Sequence, residues 1–285
     1  CKTMTKSGVI RMMLAQIAFT AMVTFVKIAR QELSTFEVAC WRSMIILPFM
    51  MLWLHKQSWR VSSPKTLFWR VTLGFCALSS FFGAAKGITI ADLSLISKLQ
   101  PIFVAILAPI VIGVGEKPDR WLWILMSVAM FGCVLLLAPS LQVGNSFGLL
   151  AVSAALFSGG AHICLRLLKD ESPMVVVLWF QIGTTIYGAL CTWLTIGYLP
   201  LPPSHLWGVL LGVGVFAIIG QWLMTSAYKV EKAPTVAAAS YIGPVFAVFA
   251  DVWTFSDWPT PIGIGGGLLV VGSGLWLLKL SQKQN

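Results

Sequence analysis

The sequence predicts an all-α membrane protein whose ten transmembrane helices form two inverted repeats of five helices each. Hydrophobic residues make up 58% of the 285 residues and charged residues only 11%, whereas a soluble domain carries about 25% charged residues. Ten apolar runs are each long enough to cross a bilayer, which takes about 20 residues. In addition, a stretch in the first half of the chain matches a stretch in the second half.

The ten apolar runs follow one another with short loops between them, which leaves no room for a soluble domain. Backbone groups in lipid must be hydrogen-bonded within their own segment, so the runs are predicted to be helices. They lack the alternation of apolar and polar residues that is typical of barrel strands. The predicted spans are 8–29, 36–55, 66–86, 92–114, 120–138, 146–168, 173–196, 205–228, 235–256 and 260–280.

The internal match aligns residues 84–118 with residues 227–261 when the chain is shifted by about 143 positions. We therefore divide the chain into a first repeat, residues 1–140, and a second repeat, residues 141–285. Because each repeat holds an odd number of spans, the second begins on the opposite side of the membrane, which makes the repeats inverted. Matched pairs are Ala84–Ala227, Lys86–Lys229, Asp92–Thr235 (both predicted helix N-caps), Ser97–Ser240, Pro101–Pro244 and Phe103–Phe246.

Membrane topology explains the net charge of +10 better than a nucleic-acid partner does. Lys and Arg are scattered in short loops, and no basic helix or aromatic-plus-basic motif occurs. Fifteen of them fall on one side of the predicted membrane, including Arg70, and three fall on the other side, Lys27, Arg30 and Lys86. By the positive-inside rule, both termini are expected in the cytoplasm, with the protein in a cytoplasmic (inner) or plasma membrane.

Cofactor and metal sites are not predicted. Five of the six cysteines lie in apolar runs and none forms a CxxC pair, so they are interpreted as buried thiols rather than disulfides or metal ligands. The glycines between Gly263 and Gly274 lack the preceding strand and following lysine of a nucleotide-binding loop. We expect them to let the last helix pack closely against a neighbour, as small residues do in membranes.

Several short motifs make the chain resemble the EamA-type members of the drug/metabolite transporter superfamily. The first half carries Ala91-Asp92, Pro101 and Gly115-Glu116, and Arg42 matches an arginine that the family tends to have early in its second helix. The second half carries Ala233-Pro234-Thr235 and Pro244, but has Asp257-Trp258-Pro259 in place of Gly-Glu. The resemblance implies ten helices in two inverted halves. It also implies transport of amino acids, drugs, nucleotide sugars, sugar phosphates or carboxylates.

Lys98 is the leading candidate for contact with a substrate, because a charge near the bilayer centre costs about 3 kcal/mol or more. Ser94, Lys98 and Pro101 would share one face of a continuous helix. The repeat places Tyr241 opposite Lys98. We expect Lys98 and Tyr241 to line a central cavity, with Lys98 contacting an anionic group. The alternative is a lysine that extends to the membrane surface.

Arg42 lies six residues into the second span, where its guanidinium could bind a carboxylate or phosphate through two hydrogen bonds. The alternatives are an ion pair with Glu37 or a contact with a free backbone carbonyl. Gln181 occupies the comparable place in the second half. Further predicted substrate contacts are Gln16, Gln221, Ser94, Ser240 and His162; helix–helix hydrogen bonds or, for His162, a satisfied core position are the alternatives.

Pro101 and Pro244 each remove one helix hydrogen bond, which a membrane helix tolerates only where a cavity or neighbour satisfies the free carbonyl. We expect the two prolines to bend the fourth and ninth helices at the site that opens and closes. The alternative is a static kink. Asp251, the only acid deep in a predicted span, could carry a proton in coupling or pair with a cation, or it could lie near the outer membrane surface.

These features predict a secondary transporter that moves a small anionic or zwitterionic metabolite by alternating access. A carboxylate, an amino acid or a phosphorylated compound is favoured because Arg42 and Lys98 outnumber Asp251. The alternatives are an amino-acid or drug exporter of the same fold, a channel or lipid-handling protein, and an intramembrane enzyme. An enzyme is disfavoured because no paired acids, nucleophile–base motif or metal motif occurs.

Expected partners are the substrate and the lipid bilayer, without nucleic acid. A homodimer remains open, since helix-packing glycines could also pair two chains.

Overall fold

The computed structural model of the chain describes residues 7–84, 87–88, 90–137, 146–255 and 259–284. This part of the chain is all-helical, without strands, as the composition predicts. Its twelve α-helices are α1 (Gly8–Ala29), α2 (Thr35–Trp53), α3 (Pro64–Ala84), α4 (Ile90–Ser97), α5 (Gln100–Val111), α6 (Arg120–Leu137), α7 (Ser146–Leu167), α8 (Pro173–Ile196), α9 (Trp207–Val230), α10 (Ala233–Ala239), α11 (Gly243–Phe255) and α12 (Pro261–Gln284).

Nine segments of the described chain are long and apolar enough to cross a membrane. They correspond to all the predicted spans except the third. The third predicted span does form a helix, α3, which is 21 residues long. An all-α membrane protein is therefore supported, while the count of ten spans stays a prediction.

Proline determines where α3 begins. Pro64 is its first residue, a position at which the backbone N–H has no partner within the helix, so its absence costs nothing. Arg70 therefore lies inside the helix and is buried, with 3% of its surface exposed. Arg70 is therefore buried among the helices, whereas the charge count treats it as a loop residue. The remaining Lys and Arg residues keep the predicted asymmetry between the two sides.

The predicted fourth and ninth spans are each interrupted near the middle. Lys98 and Leu99 separate α4 from α5, and a 3₁₀ turn, Ser240–Ile242, separates α10 from α11. Pro101 and Pro244 are each the second residue of the helix that follows, where no helix hydrogen bond is lost. The prediction that these prolines bend a helix from within is therefore corrected: the helix ends before them and a new one begins. Likewise, Ser94, Lys98 and Pro101 do not share one continuous helical face.

The two interruptions have the same local chemistry. The Ser97 hydroxyl donates to the carbonyl oxygen of Ser94 at 2.6 Å, and the Ser240 hydroxyl donates to that of Ala237 at 2.7 Å. The carbonyl of Ser240, which Pro244 cannot satisfy, accepts the Gly243 N–H instead. Residues about 143 positions apart thus adopt matching structures.

Two predicted caps are not caps. Asp92 and Thr235 both lie inside the first turn of their helices, because α4 begins at Ile90 and α10 at Ala233. Asp92 and Thr235 nevertheless occupy the same position, the third residue, in their two helices. An acidic side chain in the first turn, such as Asp92, is favourable there because of the helix dipole.

The helix contacts are preserved when the two halves are exchanged. Exchange replaces α1 by α7, α2 by α8, α3 by α9, α4–α5 by α10–α11, and α6 by α12. The contact between α1 and α9 then becomes the contact between α7 and α3, and both are extensive. The contact between α1 and α11 likewise becomes the contact between α7 and α5, and the contacts α2–α8 and α6–α12 each map onto themselves; all of these are present. Two similarly folded halves give this pattern.

Glycines bring α6 and α12 together. A β-carbon on Gly132 would lie 2.7 Å from the carbonyl oxygen of Gly266, and one on Gly266 would lie 2.5 Å from that of Gly132. Any side chain at either position would force the backbones apart. The predicted close packing of the last helix therefore holds at Gly266.

Candidate substrate site

Lys98 lies in the gap between α4 and α5 and reaches toward the start of α11. A β-carbon on Gly243 would lie 3.4 Å from Lys98 Nζ and 2.6 Å from Gln16 Oε1. The side chains of Lys98 and Gln16 therefore occupy the space beside the buried Gly243, so the ammonium points into the bundle rather than toward the membrane surface. Helix α1 and both interrupted helices meet at this point.

Tyr241 lies in the 3₁₀ turn two residues before Gly243. It is 2% exposed, and its hydroxyl is among the buried polar atoms of the described chain that have no hydrogen-bond partner. Its backbone carbonyl accepts a long hydrogen bond from Cys133 Sγ at 3.9 Å. A buried hydroxyl without a partner costs about 1–3 kcal/mol. That Lys98 and Tyr241 line one cavity stays a prediction.

A second polar cluster, which we call the Arg70 cluster, lies among α3, α5, α7, α8 and α9. Arg70 Nη2 donates to Gln221 Oε1 at 2.9 Å, and its guanidinium carbon lies 4.3 Å from the centre of the Phe180 ring. Its Nε has no partner in the described part of the chain. Gln221, predicted as a substrate contact, thus holds a buried arginine in place.

His162 belongs to the same cluster. Its Nδ1 lies 2.8 Å from Gln100 Nε2 and 3.0 Å from the hydroxyl of Tyr228. Arg70 is close enough to His162 and Tyr228 to interact with them electrostatically. Sequence reasoning singled out His162 but missed Arg70, Gln100 and Tyr228. The Ser63-Pro64 pair, a helix-start signal, could have placed Arg70 inside α3, whereas no local pattern marks Gln100 or Tyr228.

Arg42 is 8% exposed and lies in the first half of α2. Its Nη1 is 3.7 Å from Met22 Sδ. Glu37 is not its partner, because the Glu37 carboxylate accepts the Ser34 N–H at 2.8 Å in a capping box that begins α2. The predicted alternative of an Arg42–Glu37 pair is therefore wrong.

The other predicted contacts are largely engaged within the protein. Ser43 donates to Gln181 Oε1 at 3.2 Å, which joins α2 to α8; Gln181 is fully buried and its Nε2 is a buried atom without a partner among the described residues. Ser240 is bonded to its own helix, as described above, and Ser94 is half-buried. The side chain of Asp251 lies outside the described residues.

Three interior cations have no acidic partner among the residues that the structure describes. Within the described part of the chain, no carboxylate lies at ion-pair distance from Arg42, Arg70 or Lys98. Removing a cation from water without a partner is costly. Where such groups persist inside a bundle, they mark sites for ligands or ions.

Glu116 connects the two halves at one end of the bundle. Its Oε1 accepts from Arg166 Nε at 2.8 Å, and its Oε2 accepts the Ala233 N–H at 2.7 Å. Arg166 Nη1 also donates to the carbonyls of Tyr228 at 3.1 Å and Lys229 at 3.2 Å. One carboxylate thus links the loop after α5 to the ends of α7 and α9 and to the start of α10. We call this arrangement the Glu116 latch.

Known proteins of similar sequence and structure support this architecture. Residues 6–138 and 146–279 each match the EamA-like transporter family. The pseudopaline exporter of Pseudomonas aeruginosa is 28% identical over 272 residues, which cover 93% of this chain and 94% of the exporter. A riboflavin transporter of Brucella anthropi is 24% identical over 220 residues, 74% of this chain and 75% of that protein. One crystal structure shares the fold with a TM-score of 0.77 at 18% identity, covering 94% of this chain and 97% of its own. The chain belongs to the EamA-like transporter family of the drug/metabolite transporter superfamily, and it is a transporter rather than an enzyme.

Proposed function

We propose that this chain is a secondary transporter that moves a small anionic or zwitterionic metabolite across the membrane by alternating access. The observation that carries the proposal is the presence of Arg42, Lys98 and Arg70 in the interior without carboxylate partners among the described residues. A carboxylate or phosphate group on a substrate would supply the missing negative charge. The low dielectric of the interior would strengthen that interaction relative to water.

Two inverted halves would provide the alternation. The helix contacts preserved on exchange of the halves, and the matching serine bonds at the two interruptions, support a two-fold relation. With five spans in each half, the halves would have opposite orientations in the membrane, and both termini would lie on the cytoplasmic side. Domains 1–140 and 141–285 would then rock against each other around the interior cations.

Interrupted helices support the position of the site. Transporters of this kind bind substrates near the bilayer midplane, where unwound helix segments present free backbone groups. Lys98 lies in one interruption, and Tyr241, with its unpartnered hydroxyl, lies in the other. Gln16 reaches the same point from α1. An anionic group would bind Lys98 while a second polar group of the substrate reaches Tyr241 or Gln16.

Thermal unfolding of the purified protein tests the substrate class. The panel contains citrate, malate, glutamate and inorganic phosphate, with putrescine and choline as cations. A ligand present at 100 times its Kd stabilises the folded state by about 2.7 kcal/mol. We expect at least one anion or zwitterion to raise the unfolding temperature. Lys98→Met should lose that shift, whereas Lys56→Met, an exposed lysine in the loop after α2, should keep it. Stabilisation by the cations alone would reject the proposal.

A further inference from the structure

Arg70 is held in a fixed orientation with most of its hydrogen-bonding capacity unused. Gln221 binds one amino group and Phe180 covers one face of the guanidinium. Gly74 makes room for both side chains, since a β-carbon there would lie 2.6 Å from Arg70 Nη1 and 2.8 Å from Phe180 Cε2. A guanidinium has five N–H donors, and within the described chain only the bond to Gln221 uses one. A rigid, unsaturated donor set is suited to a planar carboxylate or to phosphate.

The neighbours of Arg70 add a further donor. Gln100 Nε2 and the Tyr228 hydroxyl both approach the same atom, Nδ1 of His162, at 2.8 and 3.0 Å. In the tautomer with an unprotonated Nδ1, this nitrogen has one lone pair and accepts one such bond well. In that tautomer, either a Gln100 N–H or the Tyr228 O–H is left to bind another group. No carboxylate of the described residues is present to neutralise the cluster.

Arg70 and Arg42 each lie about a third of the way into the bundle, counted from opposite ends. Consecutive spans begin at opposite membrane surfaces, and Arg42 lies about 10 Å from the start of α2 whereas Arg70 lies about 9 Å from the start of α3, at 1.5 Å per residue. By the same count Lys98 lies about 12 Å from the start of α4, which begins at the same surface as α2. Lys98 is therefore slightly deeper than Arg42, and Arg70 lies beyond both, toward the other surface.

We propose that Arg70, with Tyr228 or Gln100, forms a second anion-binding site, which receives the carboxylate or phosphate group of the transported metabolite at the end of the bundle opposite to Arg42. This inference rests on the proposed function. The metabolite passes between Arg42 and Arg70 by way of Lys98, so that its anionic group contacts a cation when the carrier is open to either side. Arg70 therefore contributes to affinity directly and not only to packing.

The test compares Arg70→Gln with Arg70→Lys and with Lys65→Gln, which removes an exposed cation from the same helix. Apparent affinities for citrate, glutamate and phosphate are measured on the purified full chain by ligand-dependent thermal unfolding. Arg70→Gln should weaken binding of the stabilising anion at least tenfold, the effect of losing a charge-assisted hydrogen bond. Arg70→Lys should retain part of the affinity, because lysine keeps the positive charge but cannot form the two parallel hydrogen bonds of a guanidinium. Lys65→Gln should bind as the original protein does.

The stability of the ligand-free variants separates binding from packing. A cation buried without a counter-ion destabilises the folded state, so Arg70→Gln should unfold at the same temperature as the original protein or higher. A purely structural arginine would instead lower that temperature and leave affinity unchanged, which would overturn the inference. Retained affinity in Arg70→Gln together with lost affinity in Lys98→Met would reject the second site and keep the proposed function. If none of the three anions stabilises the original protein, both proposals fail.

Discussion

Replacing Glu116 by alanine should destabilise the protein strongly, because this carboxylate completes the Glu116 latch between the two halves. The change leaves Arg166 without its ion-pair partner and the Ala233 N–H without its acceptor. The side chains of Arg166 and Glu116 are 16% and 8% exposed, so solvent can screen the lost interaction only weakly. The expected loss of stability is therefore that of breaking a buried ion pair, not a surface ion pair.

Breaking a buried ion pair from one side costs about 3–5 kcal/mol. For a chain of this size, each kcal/mol corresponds to about 2–4 °C in the unfolding temperature. We therefore expect Glu116→Ala to unfold about 10 °C below the original protein. Removing both charges in Glu116→Ala/Arg166→Met should recover part of that loss, because no uncompensated cation remains.

The assay is fluorescence-monitored thermal unfolding in detergent, with size-exclusion chromatography to establish that each variant is monodisperse. Glu32→Ala is the matched control, because its pair with His205 is exposed, at 48% and 62% for the two side chains. An exposed pair contributes at most about 1 kcal/mol. If Glu116→Ala shifted the unfolding temperature no more than Glu32→Ala does, the latch would have no structural importance.

Two glycines give further predictions. Gly243→Val should abolish the stabilisation by anions while the protein still folds, because the new side chain meets Gln16 and Lys98; unchanged ligand-dependent unfolding would contradict the placement of Lys98. Gly266→Val should lower the unfolding temperature, because overpacking against Gly132 costs about 1–3 kcal/mol. Gly265→Val, which has open space around it, should not; equal effects of the two valines would refute the close contact of α6 and α12.

Sequence patterns located the interruptions well but not their form. The paired prolines, Pro101 and Pro244, correctly marked the two helices that break, since proline cannot continue a helix hydrogen-bond ladder. The break itself depends on where the next helix begins. Each proline is the second residue of the helix that follows, and the serine four residues before it donates to a carbonyl of the preceding helix. The local sequence is compatible both with a kinked continuous helix and with two successive helices, and tertiary packing decides between them.

Arg70 shows why charge counting fails near a membrane surface. A count of loop charges treats an arginine near the end of an apolar run as outside the membrane. The start of α3 at Pro64 carries it into the bundle instead, where Gln221 and Phe180 surround it. Those neighbours come from α8 and α9, which are distant in sequence, so their proximity follows only from the packing of the helices.

The clusters themselves lie beyond sequence reasoning. Gln100, His162 and Tyr228 meet although 62 and 66 positions separate His162 from the other two. Likewise, Lys98 lies near Gly243, two residues after the position that the repeat pairs with it, and Gln16 joins that point because α1 packs against α11. Periodicity and repeats predict which helices exist and how halves correspond; side-chain partners across helices depend on their rotation.

Counterflow in liposomes tests the central claim most directly. Purified protein is reconstituted into vesicles that are loaded with the unlabelled stabilising anion, and uptake of the same radiolabelled anion is followed. The account predicts saturable, transient accumulation of label in vesicles with the original protein, and none with Lys98→Met at equal amounts of folded protein. Equal accumulation by Lys98→Met, or a linear flux that does not depend on the internal anion, would contradict a carrier that binds its substrate through the interior cations.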